Sequence, residues 1–172
     1  MAQRRIYLVR HGVAEDFSDS GRDFDRHLTS EGQEKMTRAA AGLQSLGVAV
    51  DLLISSPLVR ATETADEIAR TYSAAQRDVW DELACGVDEI ALTARVEALD
   101  PSANVMLVGH EPDIGEILAY WLTGRTSGFY TRVRKGSVSC VAAGSLPPNG
   151  NTMLEWMMTA KQLGRIGGAT LP

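Results

Sequence analysis

The chain carries a histidine flanked by an arginine and a glycine directly after a short apolar, strand-forming segment. This segment, Ile6-Tyr7-Leu8-Val9, is followed by Arg10, His11 and Gly12. An imidazole beside a guanidinium at the end of a buried strand offers a ring nitrogen for reaction and a cation that attracts phosphoryl oxygens. The glycine lets the backbone approach a ligand closely. This junction is the first candidate for phosphoryl chemistry.

Two further apolar segments end in matching side chains. Leu52-Leu53-Ile54 leads into Ser55-Ser56-Pro57 and Arg60, and Val105-Met106-Leu107-Val108 leads into Gly109-His110-Glu111-Pro112. The helical stretches between these segments predict buried parallel strands, whose carboxyl ends meet at one edge of a sheet. Open α/β sheets bind ligands in the crevice at that edge. We therefore expect four side chains to converge there: Arg10, His11, Arg60 and His110.

Apolar residues at helical spacing and turn signals predict the remaining elements of an α/β domain. We expect a helix from a Thr29 or Ser30 cap to Gly47, one beginning at Ser56-Pro57, one from about Val87 to Leu99, and one from Pro112 to Gly124. A short strand is predicted over Asp78 to Trp80, and a hairpin over Ser137 to Ala143 and Met153 to Met158 around Pro147-Pro148-Asn149-Gly150. The polar segment Val13 to Leu28 reads as a loop over the site, and the tail from about Gly164 as flexible.

The predicted position of Arg60 is itself a sign of anion binding. Ser56 at the cap and Pro57 in the first turn place Arg60 near the amino end of a helix. A cation there faces the positive end of the helix dipole, which is unfavourable by some tenths of a kcal/mol unless an anion occupies the site. A solvated surface arginine is the alternative.

Composition limits the classes of function. The 172 residues, 44% of them hydrophobic, suffice for one domain, residues 1 to 172, with a buried core. The net charge of −5 provides no basic footprint for nucleic acid or membrane. Cys85 and Cys140 are too far apart in sequence for a zinc motif and are expected to be free thiols. No apolar stretch suits a signal peptide or a membrane span, so we expect a cytoplasmic protein.

These motifs resemble those of the histidine phosphatase superfamily. The resemblance covers Ile6 to Met158 and is carried by Arg10-His11-Gly12, Ser55-Ser56-Pro57-x-x-Arg60-Ala61-x-x-Thr64-Ala65 and Gly109-His110-x-Pro112. Leu28-Thr29-x-x-Gly32 and the small size are similar to the SixA-type phosphohistidine phosphatases. The resemblance implies a three-layer αβα sandwich around a mostly parallel sheet, no cofactor or metal, and a phosphohistidine intermediate. The implied partner is a phosphorylated protein, such as a histidine-phosphorylated signalling domain, and we expect a monomer.

The resemblance also implies roles for individual residues. His11 is the nucleophile, Arg10 and Arg60 hold the phosphoryl oxygens, and His110 adds a hydrogen bond. Gly12, Ser56, Arg26 and Glu82 are further candidates for phosphate or substrate binding. Glu82 falls in the interval where the superfamily's phosphomonoesterases place an acid, but a surface carboxylate is the alternative, as a solvated arginine is for Arg26. Glu111 stands where SixA-type chains usually have Asn, which can alter the choice of substrate.

The sequence has four alternative interpretations. His11, His27 and His110 could form a metal site, although arginines adjacent to two of them would repel a dication. A nucleotide-binding protein would show a glycine-rich fingerprint, which the sequence lacks. A non-catalytic phosphoprotein-binding module would tolerate loss of His11 or an arginine, yet all are present. Among enzymes, the alternative is a phosphomonoesterase acting on a small phosphorylated metabolite.

Overall fold

A six-stranded mixed sheet forms the centre of the structure, a computed structural model that describes residues 4–126, 128–147 and 151–168. Its strands are β1 (Arg4–Arg10), β2 (Leu52–Ser55), β3 (Gln76–Val79), β4 (Val105–Gly109), β5 (Val138–Ala143) and β6 (Thr152–Met158). Their order is β3-β2-β4-β1-β5-β6. The first four strands in this order are parallel, and β5 and β6 add an antiparallel hairpin beside β1. The expected mostly parallel sheet and its terminal hairpin are confirmed.

Helices cover both faces of the sheet. They are α1 (Ser30–Ser45), α2 (Val59–Ala69), α3 (Glu89–Glu97), α4 (Asp113–Thr123) and α5 (Ala160–Gly167), with short 3-10 helices at Asp23–Asp25 and Asp81–Leu83. Tyr7 and Val9 of β1 face the core formed with α1, α2 and α5. Ile6 and Leu8 face the opposite core, formed with α3 and α4. Because both faces are covered, the central strands carry continuous apolar runs, Ile6 to Val9 in β1 and Val105 to Val108 in β4, and the three-layer αβα sandwich is confirmed.

The predicted start of α2 was wrong, whereas Thr29, one of the two caps predicted for α1, is confirmed. Helix α2 begins at Val59 after Leu58, which provides no side-chain cap, whereas Ser56 and Pro57 precede the helix. The Ser56 hydroxyl interacts with His110 instead of capping the helix. In α1, the cap is Thr29, whose side chain accepts a hydrogen bond from Gly32.

The prediction of a flexible tail from Gly164 was also wrong as far as residue 168; residues 169–172 lie outside the described part. Helix α5 begins with a capping box between Thr159 and Gln162 and packs against α1. A Cβ atom on Gly42 would overlap the Leu163 carbonyl. A Cβ atom on Gly167 of the tail would lie 2.6 Å from the Gly42 nitrogen, so Gly167 serves the close packing of two helices, a use of glycine that composition alone does not distinguish from flexibility. Of the predicted turn, Pro148 to Gly150 also lie outside the described residues.

Candidate active site

The parallel strands bring the four expected side chains to one edge of the sheet. Arg10 pairs in register with Gly109, so His11 and His110 follow neighbouring strands. Their rings lie 5.2 Å apart, centre to centre, at an interplanar angle of 51°. Arg60 lies in the first turn of α2, as predicted. Helix α2 follows β2, which pairs with β4 on the side opposite β1. The convergence inferred from the three strand ends is confirmed.

The ring of His11 is held in a defined orientation. Its Nδ1 lies 2.7 Å from the carbonyl oxygen of Gly12. Because a carbonyl oxygen can only accept, Nδ1 carries the proton, and Nε2 of the neutral ring keeps a free lone pair. The backbone N–H of Gly12 donates in turn to the Thr64 hydroxyl over 3.0 Å. Gly12 thus fixes the tautomer of the neighbouring ring through its carbonyl group.

Both histidines are buried and remain neutral at physiological pH. His11 is only 5% exposed, and burial, together with the charges of His110, Arg60 and Arg10, lowers its pKa to about 3 against the opposing hydrogen bond to Gly12. Burial and then the charge of Arg60 lower the pKa of His110 to about 4. A neutral imidazole is the form that can attack phosphorus, so the surroundings favour the nucleophilic state.

Several polar atoms at this edge have no protein partner. Among the described residues, only six buried side-chain nitrogen or oxygen atoms lack a hydrogen bond, and three of them are Arg10 Nε, Arg60 Nε and His110 Nδ1. Buried donors are normally satisfied, so a cluster of unpartnered ones marks a place where a ligand accepts hydrogen bonds. The two guanidinium nitrogens are donors, and His110 Nδ1 is a third in the tautomer in which the Ser56 hydroxyl donates to Nε2; together they suit the oxygens of a phosphoryl group.

A loop carboxylate that the sequence analysis did not single out lies on Arg60. Arg60 is 4% exposed, and its two terminal nitrogens donate to the Asp23 carbonyl over 2.7 Å and to the Asp23 carboxylate over 2.9 Å. Burial alone would raise the pKa of Asp23, but the hydrogen bonds and charges of Arg60 and Arg26 outweigh it and lower this pKa. Asp23 therefore stays ionised and occupies the two terminal nitrogens of Arg60, which leaves Nε as the open donor for a phosphoryl group.

Ser56 and Arg26 reach the site in different ways. The Ser56 hydroxyl lies 2.7 Å from His110 Nε2, so it orients that ring. Arg26 pairs with the Asp23 carboxylate over 2.7 Å and donates to the Glu15 carbonyl. Arg26 thus reaches Arg60 only through Asp23.

The two glutamates at the mouth differ. Glu82 is partly exposed and pairs with Arg95, which in turn covers the ring of Trp80. A hydrogen bond from its own backbone N–H and then the interaction with Arg95 lower the pKa of Glu82. A carboxyl with a lowered pKa is a poor proton donor. Burial raises the pKa of Glu111, whose carboxylate accepts from the Gly115 N–H over the first turn of α4.

The third histidine lies elsewhere. His27 is exposed and its Nδ1 lies 2.6 Å from a carboxylate oxygen of Glu63, whose hydrogen bond raises the pKa of His27. Within the described ranges, no three His, Cys, Asp or Glu side chains are grouped so as to hold a metal ion. The three histidines of the metal alternative are therefore not brought together. Nor does any helix in those ranges have the length and apolar character to cross a membrane.

Comparison with known sequences identifies the family. The sequence model of the Histidine phosphatase superfamily (branch 1) matches residues 6–103, more than half of the chain. The chain belongs to the histidine phosphatase superfamily. Its matched region begins in β1 and contains Arg10, His11 and Arg60; His110 lies just beyond it.

Individual relatives point to the same type of enzyme. The chain is 33% identical to an uncharacterized protein of Picosynechococcus over 142 residues, 81% of this chain and 86% of the relative. It is 28% identical to the phosphohistidine phosphatase SixA of Escherichia coli over 159 residues, 90% of this chain and 93% of SixA. A structure of the protein histidine phosphatase SixA complexed with tungstate superimposes with a TM-score of 0.76 at 25% identity, covering 92% of this chain and 99% of that one. This member of the superfamily is a phosphatase of the SixA-like type.

Proposed function

We propose that the chain removes the phosphoryl group from phosphohistidine on a protein, with His11 as the nucleophile. The observation that carries this proposal is the His11 ring itself. It is buried and neutral, and Nε2 is left free by the hydrogen bond from Nδ1 to Gly12. A phosphohistidine intermediate on Nε2 follows from that tautomer.

The reaction proceeds in two balanced steps. His11 Nε2 attacks phosphorus, and the bond from phosphorus to the substrate's imidazole nitrogen breaks while that nitrogen takes a proton from water. Arg10, Arg60 and His110 Nδ1 donate hydrogen bonds to the phosphoryl oxygens as charge spreads over them. Water then attacks the same phosphorus, the bond to His11 breaks, and inorganic phosphate leaves the neutral ring.

The state of Glu82 supports phosphohistidine over an alkyl phosphate as the substrate. An alkyl phosphate releases a strongly basic alkoxide, which needs a proton in the transition state, whereas an imidazole leaves readily without a dedicated acid. Glu82 pairs with Arg95 and has a lowered pKa, which does not suit a general acid. Burial raises the pKa of Glu111, so Glu111 is the carboxyl that could act as the acid on a phosphomonoester. Other structures with this fold are those of an alpha-ribazole-5'-P phosphatase and a glucosyl-3-phosphoglycerate phosphatase, so fold alone does not decide the substrate. The phosphomonoesterase is therefore the second candidate.

A substrate panel separates the two. We expect rapid hydrolysis of a phosphohistidine protein and slow or no hydrolysis of small phosphomonoesters and phosphoserine peptide. Glu82→Gln and Glu111→Gln should change the phosphohistidine rate little, because neither carboxylate is needed to protonate imidazole. Efficient hydrolysis of an alkyl phosphate that drops about 10²-fold or more in either variant would transfer the assignment to the phosphomonoesterases.

A trapping experiment tests the nucleophile. Rapid quenching of the wild-type enzyme should recover acid-labile, base-stable phosphate on the protein. His11→Ala should lose turnover and the trapped phosphate, while its thermal unfolding transition stays close to wild type. Substantial turnover in His11→Ala would refute the assignment of the nucleophile.

A further inference from the structure

A groove of about 540 Å³ lies next to the catalytic edge, between α1, the start of α5 and the segment before β5. Its volume falls within the range of ligand pockets. Six of the chain's 17 lysines and arginines line it: Lys35, Arg38, Arg134, Lys135, Lys161 and Arg165. The other 11 are spread over a chain with 22 acidic residues, so the positive charge of this protein is concentrated in one place.

Most of these cations are not neutralised by the protein. Lys35 pairs with Glu31 over 2.5 Å and Arg38 with Glu34 over 3.6 Å. Within the described part of the chain, the other four, Arg134, Lys135, Lys161 and Arg165, form no ion pair. Like charges gathered in one groove repel each other unless an anionic partner lies between them.

The groove is joined to the catalytic site through the backbone. Val13, two residues after the nucleophile, lines it. The N–H of Gly136, directly after Lys135, donates to the carbonyl oxygens of Arg10 and His11 over 3.0 and 2.9 Å. The Val133 carbonyl on the other side accepts from Arg10 Nη1 over 2.7 Å. The cationic segment is therefore fixed to the residues that would bind the phosphoryl group.

We propose that this groove docks an acidic segment of the phosphoprotein whose phosphohistidine enters the adjacent site. The proposal rests on the proposed function, because it takes the substrate to be a protein. A short acidic peptide segment can lie in the groove without approaching the rest of the surface. A long polyanion such as nucleic acid would also meet the surrounding carboxylates, which disfavour it.

Two phosphohistidine peptides of equal length test the docking. One carries a tract of glutamates joined to the phosphohistidine by a flexible spacer of several lengths, and the other carries glutamines in place of the glutamates. For each, kcat/KM is divided by that for free phosphohistidine. At low ionic strength we expect the wild type to favour the glutamate peptide about tenfold, with the preference shrinking as salt is added.

Two groove variants and a matched control test whether the preference for the glutamate peptide arises in the groove. Lys135→Glu and Lys161→Glu should each reduce the preference about fivefold, since each replaces an attraction by a repulsion. Lys161 lies in the first turn of α5, where a carboxylate is compatible with the helix dipole. Arg125→Glu makes the same charge change at an exposed position after α4, on the opposite face of the sheet, and should keep the preference.

The outcomes separate docking from catalysis. Equal use of both peptides by the wild type, or an undiminished preference in both groove variants, overturns the proposal. If no phosphohistidine substrate is hydrolysed, the proposed function fails, and the groove is then judged by fluorescence anisotropy with an unphosphorylated glutamate peptide. Binding that Lys161→Glu weakens and Arg125→Glu leaves intact would support the groove by itself. Tighter binding of a single-stranded oligonucleotide than of the glutamate peptide would overturn the choice of an acidic protein segment.

Discussion

Replacing Asp23 by Asn should tighten the binding of a phosphate-like anion. The Asp23 carboxylate lies 2.9 Å from Arg60 Nη2 and, through its other oxygen, 2.7 Å from Arg26 Nη1. A phosphoryl group that binds Arg60 through Nε shares the guanidinium with this carboxylate, so the two anions compete for the same cation. Asn keeps the size of the side chain and removes the charge, so the incoming anion would no longer compete with another anion.

The magnitude follows from how exposed the pair is. The Arg60 side chain is 5% exposed, but that of Asp23 is 60% exposed, so water screens their attraction. Ion pairs of that kind contribute about 0.2–1 kcal/mol. Since about 1.4 kcal/mol corresponds to a tenfold change in affinity, we expect Kd to fall by up to about fivefold.

Isothermal titration with inorganic phosphate or tungstate at pH 7 and fixed ionic strength measures the effect. Asp25→Asn is the matched control, because Asp25 lies in the same loop, carries the same charge and pairs with Arg22 instead of Arg60. Its Kd should stay near that of the wild type. An unchanged Kd in Asp23→Asn would refute the competition, and a weaker one would show that Asp23 positions Arg60 for the anion.

Three other predictions concern the buried histidines, the arginine and the helix contact. Burial lowers the pKa of His11 to about 3 and that of His110 to about 4. Below about pH 6.5 the unfolded chain therefore binds more protons than the folded chain. The free energy of unfolding, measured by denaturant titration, should fall as the pH drops from about 6.5 towards 4. In NMR titrations both rings should stay neutral from pH 8 to about 5, while His27 titrates with a raised pKa; protonation of either buried ring above pH 6 would contradict the neutral site. Arg60→Lys should lower kcat/KM on phosphohistidine about 10²-fold or more, because a point charge cannot replace the forked donors, and near-normal activity would count against that role. Gly42→Ala should destabilise the fold by about 1–3 kcal/mol in denaturant unfolding, because its methyl group would overlap the backbone of α5, and wild-type stability would show that the helices separate without cost.

The sequence alone could predict that His11 and His110 lie close together, because both residues directly follow parallel strands. Ile6 to Val9, Leu53, Ile54 and Val105 to Val108 are buried, as expected of central parallel strands. Parallel pairing then leaves little freedom for where His11 and His110 lie. The period of side chains along a strand and the common edge of a parallel sheet are local rules that a sequence expresses directly.

Contacts between loops and helices could not be predicted in the same way. The segment Val13 to Leu28 was predicted to be a polar loop over the site, but nothing in its composition indicates which of its carboxylates reaches Arg60. Ser56 followed by proline is typical of a helix start, yet its hydroxyl interacts with His110, because a partner distant in sequence competes with the local cap. Gly167 was taken as a sign of flexibility, whereas it lets α5 approach the backbone of α1 closely. Each of these errors concerns a contact whose partner is far away in the chain.

The resting site balances its own buried cations, and this balance bears on turnover. A buried guanidinium without partners is costly, and both terminal nitrogens of Arg60 are satisfied by Asp23, while Arg10 donates to the carbonyl of Val133. The binding free energy of a phosphoryl group is therefore the difference between the contacts that it forms and the contacts that it replaces. The same difference applies to inorganic phosphate, the product, which therefore binds more weakly than it would to unpaired arginines. A competing carboxylate within an anion-binding site weakens the binding of the anion in the ground state. The same weakening makes release of the phosphate product easier.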